Sequence, residues 1–198
     1  MKIFLIRHGE TEASVLKWLC GRTDVPLTDG GIRQIQGIAA FLSGRKPAVI
    51  YTSPLLRARQ SAEILRSRFG VTIVEDRDLR EVDFGDWEGL TMDQIRLRAP
   101  AELDHLRRSP DTFVFPNGES VADLVLRVRG FMGRVIEAQE RDGTCCVVSH
   151  GGPLRAALLD ALEIPLRNYW RLAIAHGSVS CLSHDGGGVV LSLLGCMP

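Results

Sequence analysis

The run from Lys2 to Ile6 has no polar face and stops abruptly at Arg7-His8-Gly9. A short run of this kind is expected of a strand buried on both sides of a parallel sheet, which points to a layered α/β architecture. A cation and an imidazole then stand where the strand leaves the core. In open α/β sheets, ligands bind in the crevice beyond the carboxyl ends of the strands. A neutral imidazole is a nucleophile, and the planar fork of Arg7 suits phosphate. Gly9 lets the backbone turn sharply and approach a ligand closely. Alone, the tripeptide would suit an ordinary loop equally well.

The pattern recurs. Thr144 to Ser149 is the most strand-like run in the chain, and it ends at His150-Gly151-Gly152. If both strands are central and parallel, both imidazoles reach one crevice. A lone histidine after a strand is more often structural, but two of them, each followed by glycine, favour a site.

Strands and helices alternate along the rest of the chain. Thr28 is the expected cap of a helix with core positions Ile32, Ile35, Ile38 or Ala39, and Leu42, closed by Ser43-Gly44. Ala48 to Thr52 reads as a second strand. Ser53 and Pro54 are expected as cap and first residue of the next helix, buried through Leu55, Ala58, Ala62, Leu65 and Phe69. A weaker strand spans Val71 to Val74, and Asp76 to Gly89 is acidic and irregular. Residues 91–108 hold one or two short helices interrupted at Pro100, and 109–118 form a loop.

Ser120 and Asp123 resemble a capping box for a long amphipathic helix reaching about Glu140. A helix buried through Leu154, Ala157, Leu158 and Leu162 follows His150. Ser178 to Ser183 and Val189 to Leu194, joined across Asp185-Gly186-Gly187-Gly188, suggest a hairpin. The expected fold is a three-layer α/β/α sandwich with a mainly parallel central sheet and room for an antiparallel late strand.

Two further segments carry chemistry. Arg57 falls in the first turn of a helix that follows a strand, where free N–H groups and the dipole favour an anion. Arg59 lies about 200° around that helix and cannot share the direction. Physical reasoning leaves open which of Glu81, Asp83, Asp86 and Glu88 serves as an acid.

These motifs resemble one family. Arg7-His8-Gly9-Glu10-Thr11 is similar to the signature of the histidine phosphatase, or phosphoglycerate mutase-like, superfamily. Ser53-Pro54-Leu55-Leu56-Arg57-Ala58 matches its second phosphate-binding arginine, and Leu79 to Gly89 its proton-donor segment. Gly21 to Thr28, Pro116 to Ser120 and Gly177 to Ser180 also match, so the resemblance covers nearly the whole chain. It implies that His8 carries the phosphoryl group, that Arg7, Arg57 and His150 stabilise it, and that Glu81 is the proton donor. Arg7, Ser14, Gly21, Arg57 and Gly151 are the implied substrate-binding positions. Ser14 departs from the pattern, because many members carry Asn there, and its shorter side chain puts a direct phosphate contact in doubt.

The resemblance implies a phosphomonoesterase acting through phosphohistidine on a small phosphorylated metabolite. The likeness is greatest to α-ribazole phosphatases and small broad-specificity phosphatases, with α-ribazole 5′-phosphate one candidate substrate. Mutase-type phosphoryl transfer and an inactive phospho-ligand-binding relative are the alternatives. Phosphate-monoester hydrolysis can require up to ~10²¹-fold acceleration, whereas general acid catalysis supplies ~10²–10⁴. Covalent catalysis divides the problem into two steps, and most of the remainder must come from fixed positive charge and donors, here Arg7, Arg57 and His150. Repulsion from Arg7 and Arg57 should also keep His8 neutral.

Length and composition set bounds. The 198 residues fit one domain over 1–198, with a short lid-like insertion around 86–119. Lys+Arg and Asp+Glu both number 24, so no global basic field draws in nucleic acid or an anionic membrane. No H-E-x-x-H or similar spacing appears, so neither metal nor cofactor is expected. Five cysteines without C-x-x-C, and a first strand starting at the second residue, suggest a reducing cytoplasmic setting without a signal peptide. A homodimer is compatible with the sequence.

Overall fold

The computed structural model describes residues 1–138, 143–184 and 187–198. Its strands are β1 (Lys2–Arg7), β2 (Val49–Thr52), β3 (Thr72–Glu75), β4 (Thr144–Ser149), β5 (Val179–His184) and β6 (Val189–Cys196). They form one sheet in the order β3-β2-β4-β1-β5-β6. The two histidine-bearing strands, β4 and β1, are adjacent, parallel and central, in register from Lys2 opposite Thr144 to Arg7 opposite Ser149. β2 and β3 continue the parallel half, while β5 runs antiparallel to β1 and β6 returns beside it. The expected late antiparallel hairpin is present; Asp185 and Gly186 of its connection lie outside the described residues.

The helices are α1 (Glu12–Val15), α2 (Asp29–Phe41), α3 (Leu56–Phe69), α4 (Met92–Arg98), α5 (Pro100–Arg108), α6 (Val121–Ala138) and α7 (Gly151–Ala161). The pleat of β1 divides the core in two. Phe4 and Ile6 pack with Ile35 and Ile38 of α2 and Ala58 and Leu65 of α3. Ile3 and Leu5 face the other layer, with Val128 and Phe131 of α6, Leu154 and Leu158 of α7, and the segment from Leu79 to Phe115. No helix among the described residues is long and apolar enough to cross a membrane. Cys145 and Cys146 are buried free thiols in β4, and burial pushes the Cys145 thiol up to about 12.

Local differences from expectation have physical causes. α3 starts at Leu56, because the Ser53 N–H still donates to Val148 and so prolongs the sheet ladder. Thr28 caps α2 as expected, accepting from the Gly31 N–H. Ile32 is 37% exposed, because the first turn of α2 packs through Gly31 instead. The Ser120 hydroxyl accepts from the Asp123 N–H and donates to the Asp123 carboxylate, so the box is only half formed. Pro100 begins α5. Gln139 and Glu140, expected as the end of α6, lie outside the described residues.

Gly31 meets the loop after β1 backbone to backbone: a Cβ there would run into the carbonyl of Glu10. A Cβ on Gly44 would meet nothing within 4 Å. Gly31→Ala should therefore cost roughly 1–3 kcal/mol or more through overpacking, whereas Gly44→Ala should be neutral to mildly stabilising. Denaturant unfolding of the two variants checks the contrast.

Candidate active site

Three strand ends and one strand start converge. The His8 N–H donates to Ser149 at 3.0 Å, continuing the β1–β4 ladder by one residue. The register thus carries His8 and His150 side by side, with ring centroids 5.0 Å apart. β5 starts where β1 ends, so the Gly177 N–H donates to the His8 carbonyl at 3.0 Å. That places His176 on the same spot, its ring 5.1 Å from His8.

A cavity of about 100 Å³ opens here, lined by Arg7, His8, Ser14, Arg57, Glu81 and His176 among others. His8 is 4% exposed and its Nδ1 lies 2.7 Å from the carbonyl of Gly9. A carbonyl only accepts, so Nδ1 carries the proton and Nε2 holds the lone pair. Burial, then Arg57 and Arg7, hold His8 well below the ordinary imidazole range. It is neutral at physiological pH.

Both arginines are gripped by uncharged acceptors. Arg57, 1% exposed, donates to the carbonyls of Thr23, Cys20 and Gly21 at 2.9–3.0 Å. Arg7 donates to the Ile174 carbonyl and, at 2.7 Å, to Nε2 of His176. Since a guanidinium has no acceptor, His176 must present a lone pair there and be neutral. Burial and the charge of Arg7 push it down to about 3. Burial lowers Arg7 itself to about 10.

The structure separates the acids that sequence reasoning left open. Glu81, 7% exposed, lines the cavity and accepts from the Val82 and Gly152 N–H groups at 3.0 Å. Asp83 accepts from the Gly85 N–H, and Asp86 from Asn117. Glu88 accepts from the Gly21 and Thr23 N–H groups, fixing the loop whose carbonyls hold Arg57. Arg127 of α6 forms a two-pronged pair with Glu119 at 2.6 and 2.9 Å and also donates to the Glu81 carbonyl, anchoring that segment.

The other expected positions are distributed differently. Ser14 reaches the cavity wall, but its hydroxyl bonds the Thr11 backbone in a capping box at the start of α1. The Gly21 N–H is taken by Glu88, so that residue serves Arg57 through its carbonyl. Gly151 packs against the Arg7 guanidinium. His150 is fully buried behind His8; its Nε2 lies 2.8 Å from the Ser53 hydroxyl, and its Nδ1 has no partner. His176 and Arg127 were not found by sequence reasoning. For His176 a signal existed, since Ala175-His176-Gly177 is a third His-Gly pair, but it precedes a strand.

The model of the histidine phosphatase superfamily, branch 1, matches residues 3–196. The chain belongs to that superfamily. A bifunctional protein of Mycobacterium tuberculosis is 38% identical over 90% of the chain, which spans about half (49%) of that relative's length. Phosphoserine phosphatase 1 of Hydrogenobacter thermophilus is 32% identical, covering 98% of the chain and 92% of that protein. The solved α-ribazole phosphatase of Shigella flexneri superposes with a TM-score of 0.88 at 26% identity, over 100% of the chain and 97% of that structure. The phosphoglycerate mutase-like α/β fold expected from the sequence is thus the fold of a histidine phosphatase.

The two buried imidazoles, His8 and His150, and the half-buried His176 also set a pH dependence. Each has a folded pKa below its unfolded value of about 6.5, so the unfolded chain binds more protons and stability falls as pH drops below that value. Each contributes a loss of about 1.4 kcal/mol per pH unit once the unfolded imidazole is protonated. Denaturant titrations between pH 7.5 and 5 should show this loss. His176→Asn should lessen the slope by about one proton.

Proposed function

We propose that this chain is a metal-independent phosphomonoesterase that works through a phosphohistidine on His8. The observation carrying the reading is the Nδ1–H bond of His8 to its neighbouring carbonyl, which leaves the Nε2 lone pair free on a ring that lines a cavity walled by two arginines. Nε2 attacks phosphorus and the bond to the ester oxygen breaks. Glu81, as the carboxylic acid, gives that oxygen its proton. Its carboxylate then takes a proton from water, hydroxide displaces Nε2, and inorganic phosphate leaves. Arg7 and Arg57 face the transferring oxygens, where fixed donors contribute most to the rate.

The substrate is read as a small phosphorylated metabolite. α-Ribazole 5′-phosphate is one candidate, supported by the likeness to an α-ribazole phosphatase. The segment from Asp86 to Glu119 acts as a lid in this reading, since its Met92, Leu106 and Phe115 line the chamber next to the cavity. Mutase-type transfer would require the product alcohol to re-enter before water attacks.

Rapid acid quench during turnover of p-nitrophenyl phosphate, on enzyme treated exhaustively with EDTA, tests the proposal. An acid-labile phosphoryl group should appear on His8 and be absent in His8→Ala. Label on His150, or turnover that returns only with a divalent ion, would contradict it.

A further inference from the structure

The cavity around His8 continues into a second chamber of about 150 Å³, with Arg7, Leu19, Glu81 and Phe84 common to both. Its position beyond Glu81 is where the leaving alcohol of a phosphomonoester must sit. Phe84, Met92, Leu106, Phe115, Tyr169 and Trp170 make its wall predominantly apolar. Trp170 is 44% exposed and Met92 37%, so the wall continues to the surface.

Besides Arg7, which the first cavity shares, one cation interrupts this wall. Arg155 lies on α7 four residues after Gly151, about 6 Å further along the helix axis. Its guanidinium stacks over Tyr169 at 4.7 Å and Trp170 at 5.0 Å, and its Nε–H donates to the Leu172 carbonyl. Arg127, Arg129 and Arg134 each meet a carboxylate, but among the described residues no ion pair is formed by Arg155. A half-buried guanidinium with no anion of its own, set on aromatic faces in an apolar chamber, is a receptor for an anion carried by a ligand.

We infer that the chamber selects phosphomonoesters whose alcohol combines a flat apolar body with a carboxylate, and that Arg155 binds that carboxylate. The inference rests on the phosphatase reading above. It adds a specificity residue on the leaving-group side, distinct from the arginines that hold the transferring phosphoryl.

The test compares phenyl phosphate with its 3- and 4-carboxyphenyl analogues. An ionised carboxylate barely changes how well the phenol leaves, so a preference reports recognition. The native enzyme should favour the better-placed carboxylated ester in kcat/KM by roughly 10- to 100-fold, the worth of one charge-assisted hydrogen bond. Arg155→Met should bring that ratio close to one, and Arg155→Lys should keep part of it. A purely packing role would slow all three esters alike and leave the ratio unchanged, overturning the inference. Equal kcat/KM for all three with the native enzyme would do the same without any variant. Failure to hydrolyse phenyl phosphate at all would instead remove the phosphatase reading beneath it.

Discussion

Two guanidinium groups, buried Arg57 and half-buried Arg7, converge on one small cavity, and both are held by neutral atoms. This is the constraint from which most of the surrounding architecture follows. A carboxylate partner would stabilise each arginine more simply, but it would also cancel the charge that a phosphoryl group needs. Carbonyls of Cys20, Gly21, Thr23 and Ile174, with the lone pair of His176, position the cations and leave their charge in place. Features that look peripheral in the sequence then have a purpose. Glu88 holds the loop that holds Arg57, and the antiparallel sense of β5 delivers His176 to Arg7.

The same cations act on His8, the proposed nucleophile. Like-charge repulsion and burial keep His8 uncharged, and the Gly9 carbonyl selects its tautomer. The proposed nucleophile and the two arginines are therefore one electrostatic unit. Glu81 belongs to it as well, through the Gly152 N–H at the start of α7 and through Arg127, which grips its backbone from α6. The price of this arrangement is a cluster of neutral imidazoles, two buried and one half-buried, which makes the fold less tolerant of acid.

Much of this was legible in the sequence, for identifiable reasons. Short apolar runs ending in His-Gly marked β1 and β4, because parallel strands bury both faces and release polar residues only at their ends. Arg57 was readable from its place after a strand and in the first turn of a helix. What was missed depended on long-range geometry. His176 precedes its strand, so a rule about carboxyl ends passes over it; only the antiparallel pairing with β1 reveals its position. Ser53 resembled a helix cap until the sheet ladder claimed its N–H. Glu81 could not be told from Asp83, Asp86 and Glu88 by physical reasoning, because four carboxylates within eight residues differ only in what they meet in space. Ser14 and Gly21, expected to bind substrate, have their polar groups engaged by Thr11, Glu88 and Arg57.

The most direct test is the protonation state of His8 itself. Long-range nitrogen–proton correlation NMR on histidine-labelled protein reports which ring nitrogen carries the proton. The ring should be neutral and protonated on Nδ1, with a bare Nε2, and should stay so as pH falls from 8 through the ordinary imidazole pKa of about 6.5. An imidazolium, or a neutral ring protonated on Nε2, would contradict this, because Nε2 would then have no free lone pair.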